Sequence, residues 1–375
     1  MQLAAKFIRP YEASAPILNT VEALSEVIKK NRQIPLDNPL ELALKNLLPF
    51  HHLKNIDAAS ELLAQSIMQQ KSICIIGDFD TDGATSTALA VSVLKAYGAE
   101  KINYLVPNRF KFGYGLTAEI VDAALIYNPE LIITVDNGIA SFAGVEHAKK
   151  LGFSVLITDH HLPAASLPDA DVIVNPNQVG DSFPSKNLAG VGVIFYVMMA
   201  LRHSLRNYGW FETNKIPEPN LAQFLDLVAL GTVADVVPLD FNNRILVAQG
   251  LARIRAGECR RGIKALMGLS KKKANQFQAV DLGFIIAPRL NAAGRMEDMT
   301  LGIECLLAKD EETALNLALK LDLLNQERRH IEASMQQDAY QALSKISLHE
   351  KKLPHGICLY EEHWHQGVIG IIAGR

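Results

Sequence analysis

The stretch Ser72-Ile73-Cys74-Ile75-Ile76-Gly77-Asp78-Phe79-Asp80-Thr81-Asp82-Gly83 governs how the rest of the chain is read. Its first five residues are an apolar run of strand length, and the run ends in alternating aspartates and a glycine. The pattern predicts a buried strand over residues 72–76 with acids at its carboxyl end. In extended backbone, side chains at i, i+2 and i+4 share one side. Asp78, Asp80 and Asp82 are therefore expected to form a cradle of hard oxygens before Gly83 frees the backbone. A helix is expected over 85–97, with Thr85, Ser86 and Thr87 at an N-terminus that favours an anion. The aspartate spacing is similar to a calcium loop. Counting Asp78 as the first position, however, the twelfth is Leu89, where such a loop needs a bidentate glutamate.

Downstream the same strand-then-acid arrangement recurs. Strands are expected over 102–106, 131–135, 154–158 and 172–174, and helices over 117–126 and 141–151. Strands alternating with helices of this length imply right-handed crossovers and a mainly parallel sheet, so the fold class is α/β with flanking helices. Such sheets carry functional residues at the carboxyl ends of their strands. Val135-Asp136-Asn137-Gly138 and Asp159-His160-His161 occupy those places, and Ala234-Asp235-Val236 follows an apolar helix-like run. Each alone has an ordinary reading: Asp-Asn-Gly caps turns, and a buried Asp235 would pair with an arginine.

Together, however, six carboxylates and two imidazoles at one edge would repel one another without cations between them. A metal centre for phosphoryl chemistry is the expectation. So many oxygen ligands beside imidazole favour manganese or magnesium over zinc. Asp136 is the candidate bridge. Adjacent side chains in extended backbone point opposite ways, so His160 is expected as a ligand and His161 as a phosphate contact or acid.

Flanking this core, residues 1–70 read as an N-terminal helical region, with helical spacing over 40–48 and 56–68. The α/β domain is expected over 71–240, with helices at 191–205 and 221–233. Residues 241–350 read as a helical region containing one long connector helix over 313–343. A strand is expected over 356–360 in a new lobe beginning near 351 and running to 375.

The 375 residues carry 37 Lys plus Arg against 40 Asp plus Glu, a net charge of −3 that does not mark a nucleic-acid binder by itself. Clustered acids lower the total while local arginines can still line a groove. Apolar residues make up 49%, as expected for a sizeable core, and no stretch approaches a membrane span. The first residues lack a signal-peptide pattern, so the cytoplasm is the expected location. Cys74, Cys259, Cys305 and Cys358 have no zinc-ligand spacing and are expected to be reduced thiols.

These motifs, in this order, resemble the DHH phosphoesterase superfamily. Further stretches are similar to the RecJ single-stranded-DNA exonucleases within it. They are Pro107-Asn108-Arg109-Phe110 with Gly113-Tyr114-Gly115-Leu116, Leu188-Ala189-Gly190-Val191-Gly192, Leu230 to Val236, and Ala287 to Met296. Trp364 to Ile371 resembles the start of that family's second lobe, the DHHA1 domain. The resemblance implies a 5′-to-3′ exonuclease acting on single-stranded DNA in repair and recombination, with two Mn2+ or Mg2+ ions. It implies Asp78, Asp80, Asp82, Asp136, His160 and Asp235 as metal ligands and His161 near the scissile phosphate. Asp136, His160 and His161 would carry the catalysis. Arg109, Arg289 and Arg375 are candidate DNA contacts, with packing against the acids as the structural reading for Arg289 and Arg295. Helicase or single-strand-binding protein partners are implied as well.

Full-length relatives continue through the second lobe, whereas this sequence stops at Gly374-Arg375. The expectation is retained metal binding, reduced DNA affinity, and apolar surface bared around Ile357, Leu359, Ile369 and Ile371. Two other readings compete. One is a DHH oligonucleotide or cyclic-dinucleotide phosphodiesterase, whose first motif places a histidine where Ile76 stands here. The other is an inactive DNA-binding remnant, which would have lost motif acids that this chain keeps.

Overall fold

The computed structural model describes residues 20–31, 41–345 and 356–374. The chain divides into two compact units, Met1–Leu42 and Ala43–Arg375. In the first, helix α1 (Val21–Asn31) starts at Thr20, whose hydroxyl accepts the Ala23 N–H and satisfies one open helix donor.

The second unit is built on five parallel strands: β1 (Ile73–Gly77), β2 (Ile102–Leu105), β3 (Leu131–Val135), β4 (Ser154–Thr158) and β5 (Val172–Val174). Their order is β2-β1-β3-β4-β5. Every residue of β1 and β3 is buried, as the unbroken apolar runs require of a sheet covered on both faces. The alternation divides them cleanly: Ile73 and Ile75 enter one core, Cys74 and Ile76 the other. Gly77 lies opposite Val135, and Val135 opposite Thr158. The residues that follow, Asp78, Asp136 and Asp159, therefore leave the sheet level with one another. The strand order reverses between β1 and β3, where open α/β sheets form their binding crevice.

Helices α2 (Ile56–Met68) and α3 (Thr81–Ala96) feed the larger core, while α4 (Ala118–Ala124) and α5 (Phe142–Lys150) close the smaller. Helix α6 (Gly190–Asn207) packs on α2 and α3. Then come α7 (Trp210–Thr213), α8 (Leu225–Ala234), α9 (Phe241–Ala256), α10 (Arg261–Gly268) and the one-turn α11 (Ala279–Asp281). A π-helical turn over Leu282–Ile286 leads into α12 (Ala287–Met296), α13 (Thr300–Leu307), the 35-residue α14 (Glu311–Lys345) and α15 (Gln366–Ala373). Helix α14 packs on α10, α12, α13 and α15.

Three expectations fail locally. Of residues 40–48, the described part holds only a 3-10 turn at Leu44–Asn46, because Pro49 closes the segment before a helix can propagate. Residue 40 itself lies outside the described residues. Residues 356–360 form no strand: a strand exists by pairing, and no described segment pairs with them. Helix α3 begins at Thr81 rather than Thr85. Ile357 and Ile369 are 48% and 45% exposed, while Leu359 and Ile371 are partly covered. No described helix is long and apolar enough to cross a membrane.

Candidate metal centre

The early start of α3 changes the geometry of the first motif. Asp80 is the N-cap, and its Oδ1 accepts the N–H groups of Asp82 (2.9 Å) and Gly83 (3.0 Å). The three aspartates thus do not alternate along a strand: Asp78 ends one, Asp80 caps a helix, and Asp82 sits in its first turn. Gly83 permits this close fold, since a Cβ there would lie 2.4 Å from the Asp78 carbonyl oxygen. The Asp82 carboxylate accepts the amides of Gly190 (2.6 Å) and Val191 (3.0 Å), joining α3 to the start of α6. Because α3 starts at Thr81, the N–H groups of Thr85, Ser86 and Thr87 lie beyond its first turn and are not the open donors expected of a helix N-terminus.

Asp136 follows β3 with φ 63°, a left-handed conformation that a non-glycine residue rarely adopts. Asn137 fixes the turn by donating to the Ile76 and Val135 carbonyls, across the β1–β3 switch. A Cβ at Gly190 would stand 2.5 Å from the Asp136 side chain, so glycine is what lets α6 approach so closely. After β4, Asp159 accepts the amides of Ile139, His160 and His161, and His161 Nδ1 lies 2.7 Å from its Oδ1. This turn overrides the extended geometry expected of the two histidines, whose rings lie 4.5 Å apart instead of facing opposite ways. Asn175 and Asn177 hold the carbonyls of His161 and His160. Asp235 caps the carboxyl end of α8 and is followed by Val236 at φ 62°. No described arginine pairs with Asp235; its neighbour is His160, at 3.5 Å.

Three clusters converge at this edge, each with candidate ligand atoms within 4.8 Å of one another. They are Asp78–Asp80–Asp136, Asp82–His160–Asp235, and Asp136–His160–His161. Asp136 and His160 each belong to two. Asp136 Oδ1 and His160 Nε2 are 3.1 Å apart, but both are buried without a hydrogen-bond partner. Two lone-pair atoms buried without donors are what a cation would satisfy, and the surrounding oxygens and imidazole suit a hard or borderline one.

The electrostatics agree. Burial, then the Asp80 charge, pushes the Asp78 carboxyl up to about 8. The same two causes raise Asp235 to about 7. Asp82 and Asp136 lie well above the ordinary range, through burial first and then through a neighbouring charge, that of Asp235 on Asp82 and that of Asp82 on Asp136. Burial, then the neighbouring His161, lowers His160 to about 4, which leaves its lone pair free. The Asp159 hydrogen bond raises His161 to about 9. Burial alone would raise Asp159, but the His161 bond and the backbone donors outweigh it and hold it low.

Arg109 stands over the Phe79 ring, 4.2 Å from its centroid, with Asp78 and Asp80 among its charged neighbours. Its Nε is buried without a partner. Arg289 is not brought to the acids: its Nε bonds Asp322 at 2.7 Å and its Nη1 bonds the Ile285 carbonyl, on the α12–α14 seam. Arg375 lies outside the described residues. Arg295, which the motifs suggested only as packing, is a charged neighbour of both Arg109 and Asp80 and bonds the Gly367 carbonyl. The sequence reading counts Asp159 only among the clustered acids and names Tyr114 only within a family stretch, without a partner for either. Tyr114 Oη is 3.5 Å from His161 Nε2, a contact between residues 47 apart that no local pattern signals.

Residues 72–232 match the model of the DHH family, N-terminal domain. A crystal structure of exonuclease RecJ bound to manganese aligns with a TM-score of 0.74 at 34% identity, covering 90% of this chain and 78% of that one. The chain belongs to the RecJ family of DHH proteins. Among RecJ relatives, the single-stranded-DNA-specific exonuclease of Salmonella typhimurium is 55% identical over 336 residues, 90% of this chain and 58% of that protein. The Escherichia coli RecJ is 50% identical over 98% of this chain and 64% of its own length. A RecJ structure in complex with Mn2+ from Thermus thermophilus gives a TM-score of 0.74 at 33% identity, over 94% of this chain and 48% of that one. This chain thus spans about three-fifths of the length of these curated relatives.

Proposed function

We propose that this RecJ-family chain is a metal-dependent phosphodiesterase that removes nucleotides from single-stranded DNA in the 5′-to-3′ direction. The observation that carries the reading is the buried pair Asp136 Oδ1 and His160 Nε2, unpartnered and shared among three ligand clusters. Asp78, Asp80, Asp82, Asp136, His160 and Asp235 would hold two Mn2+ or Mg2+ ions. Such ions generate a hydroxide-like nucleophile at neutral pH and offset charge on the phosphate.

The chain's own residues supply the rest. His160 is kept neutral by burial and offers its Nε2 lone pair. Asp82 is oriented by two backbone amides of α6, so its position is set before any ligand arrives. His161 is anchored through Nδ1 to Asp159, which favours its protonated form and would leave Nε2–H to bind a phosphate oxygen or to protonate the leaving oxygen. Arg109, stacked on Phe79 with its Nε unpartnered, would hold a phosphate. A role in repair and recombination in the cytoplasm, with helicase or single-strand-binding protein partners, belongs to the same reading.

Manganese-dependent release of mononucleotides from single strands labelled at either end tests it, with Asp136→Ala as the control. Equal loss of both labels, persistence in Asp136→Ala, or a preference for dinucleotides over 5′-phosphorylated oligonucleotides would each overturn the assignment.

A further inference from the structure

Asp159-His160-His161 turns as soon as it leaves β4, and its peptide groups are held from two directions. The amides of His160 and His161 go to the Asp159 carboxylate, inside the turn. The two histidine carbonyls go to a different segment, Asn175-Pro176-Asn177, which follows β5. Asn177 Nδ2 donates to the His160 carbonyl at 2.6 Å, and Asn175 Nδ2 donates to the His161 carbonyl at 2.9 Å. The later asparagine meets the earlier histidine, so these bonds do not continue the parallel β4–β5 ladder, whose last link is the Asp159 amide to the Val174 carbonyl.

The asparagine segment is braced independently of the histidines. Proline at 176 disfavours helical backbone at Asn175, and Asn175 Oδ1 accepts the Asn177 amide at 2.7 Å to close a side-chain turn. Lys186 Nζ donates to the Pro176 carbonyl at 2.6 Å and pairs with Asp181 at 2.6 Å. Gln178 Nε2 donates to the Ile173 carbonyl at 3.0 Å. Asn175 is fully buried. The imidazoles have supports of their own, a backbone hydrogen bond at Leu188 for His160 and the Asp159 carboxylate for His161. What the asparagines add is the direction of the peptide planes that carry the rings.

We propose that Asn175 and Asn177 are positioning residues with separate duties: Asn177 sets how well His160 binds metal, and Asn175 sets turnover through His161. The inference rests on the phosphodiesterase reading above and deepens it. The difference follows from which peptide each one holds, since a carbonyl fixed by a donor fixes its whole planar unit. The His160 carbonyl belongs to the peptide between the two histidines, so losing Asn177 loosens the metal ligand itself. The His161 carbonyl belongs to the next peptide, beyond the ligand, so losing Asn175 loosens only the ring that faces the phosphate.

The test measures manganese affinity by calorimetry, and turnover on a 5′-phosphorylated single-stranded oligonucleotide at saturating manganese. Asn177→Ala weakens manganese binding about 10–100-fold, the usual cost of losing a group that orients a metal ligand. Asn175→Ala leaves manganese affinity unchanged and lowers turnover about tenfold or more, because a small misplacement of a reacting group is costly. Gln178→Ala removes a bond of the same kind from the same segment, to Ile173 and to neither histidine, and changes neither quantity. Asn175→Ser and Asn177→Ser, which have no amide to donate, cover an alanine variant that fails to fold and show the same division. Losses shared by all three positions, in step with stability in denaturant melts, would mean a merely structural role and overturn the proposal. Manganese affinity that survives the change at Asn177, or falls with the change at Asn175, overturns it as well. If the wild type takes up no manganese or releases no nucleotide, the phosphodiesterase reading fails and the proposal fails with it; a normal wild type with undivided variants sinks the proposal alone.

Discussion

Asp159 and His161 are joined by a 2.7 Å contact from carboxylate Oδ1 to imidazole Nδ1, and no other described side chain fixes that ring through Nδ1. The acid is buried and takes three backbone amides as well, so it acts as a rigid post that sets ring orientation and charge.

Asp159→Asn tests that relationship. In the metal-free wild type, His161 titrates near 9, above its ordinary value because of the Asp159 bond. A folded value above the unfolded one contributes stability that is complete below about 6.5 and disappears as pH rises through about 9. In Asp159→Asn the His161 titration moves down by more than one unit, and the extra stability near pH 7 is lost. Turnover falls about 10²–10⁴-fold if the positioned acid is needed. Proton NMR of the imidazole, with denaturant melts at pH 6 and 8, checks both.

The carboxylate cluster predicts a loss of stability in the same direction, beginning at lower pH. Asp78 near 8 and Asp235 near 7 lie above their ordinary values through burial and mutual repulsion. An acid raised on folding costs stability as pH climbs from its unfolded value, about 4, to its folded one. The metal-free protein should therefore lose melting temperature between pH 5 and 8. Manganese should restore it, with an affinity that rises over the same range as protons are displaced. A pH-independent affinity would contradict the clustering.

Asp136→Asn separates stability from function. The substitution removes an acid whose ionisation the buried cluster disfavours, so the metal-free protein gains stability, by about 1–3 kcal/mol, as pH rises above the ordinary carboxylate range. The same change removes a group shared by two ligand clusters, so bound manganese drops below two equivalents and hydrolysis is lost. Denaturant melts without metal and manganese titrations read the two effects independently.

Val236 offers a test away from the acids. A β-branched residue at φ 62°, 83% exposed, gains nothing from packing and carries backbone strain. Val236→Asn, which tolerates that conformation, should raise stability by about 1 kcal/mol. Unchanged or lower stability would mean that Val236 is held there by contacts worth more than the strain.

Much of this was legible in the chain. The runs ending at Gly77, Val135 and Thr158 announced parallel strands, because a strand buried on both faces must be apolar throughout. Acids immediately after those runs had to emerge at one edge. The reading of 78–82 as extended failed because Asp80 could cap a helix, a choice settled by donors of Asp82 and Gly83 that no side-chain alternation reveals.

The sequence by itself determined the sheet, its polarity and which acids would stand at its rim, since hydrophobic period and strand-end chemistry are local properties. Only the tertiary structure decided which of those groups meet. Asp82 finds its partners 108 and 109 residues away at Gly190 and Val191, Tyr114 finds His161, and Arg289 is drawn off to Asp322. Such pairings depend on how helices pack across the switch point between β1 and β3, and that packing is fixed by the whole core rather than by any one segment.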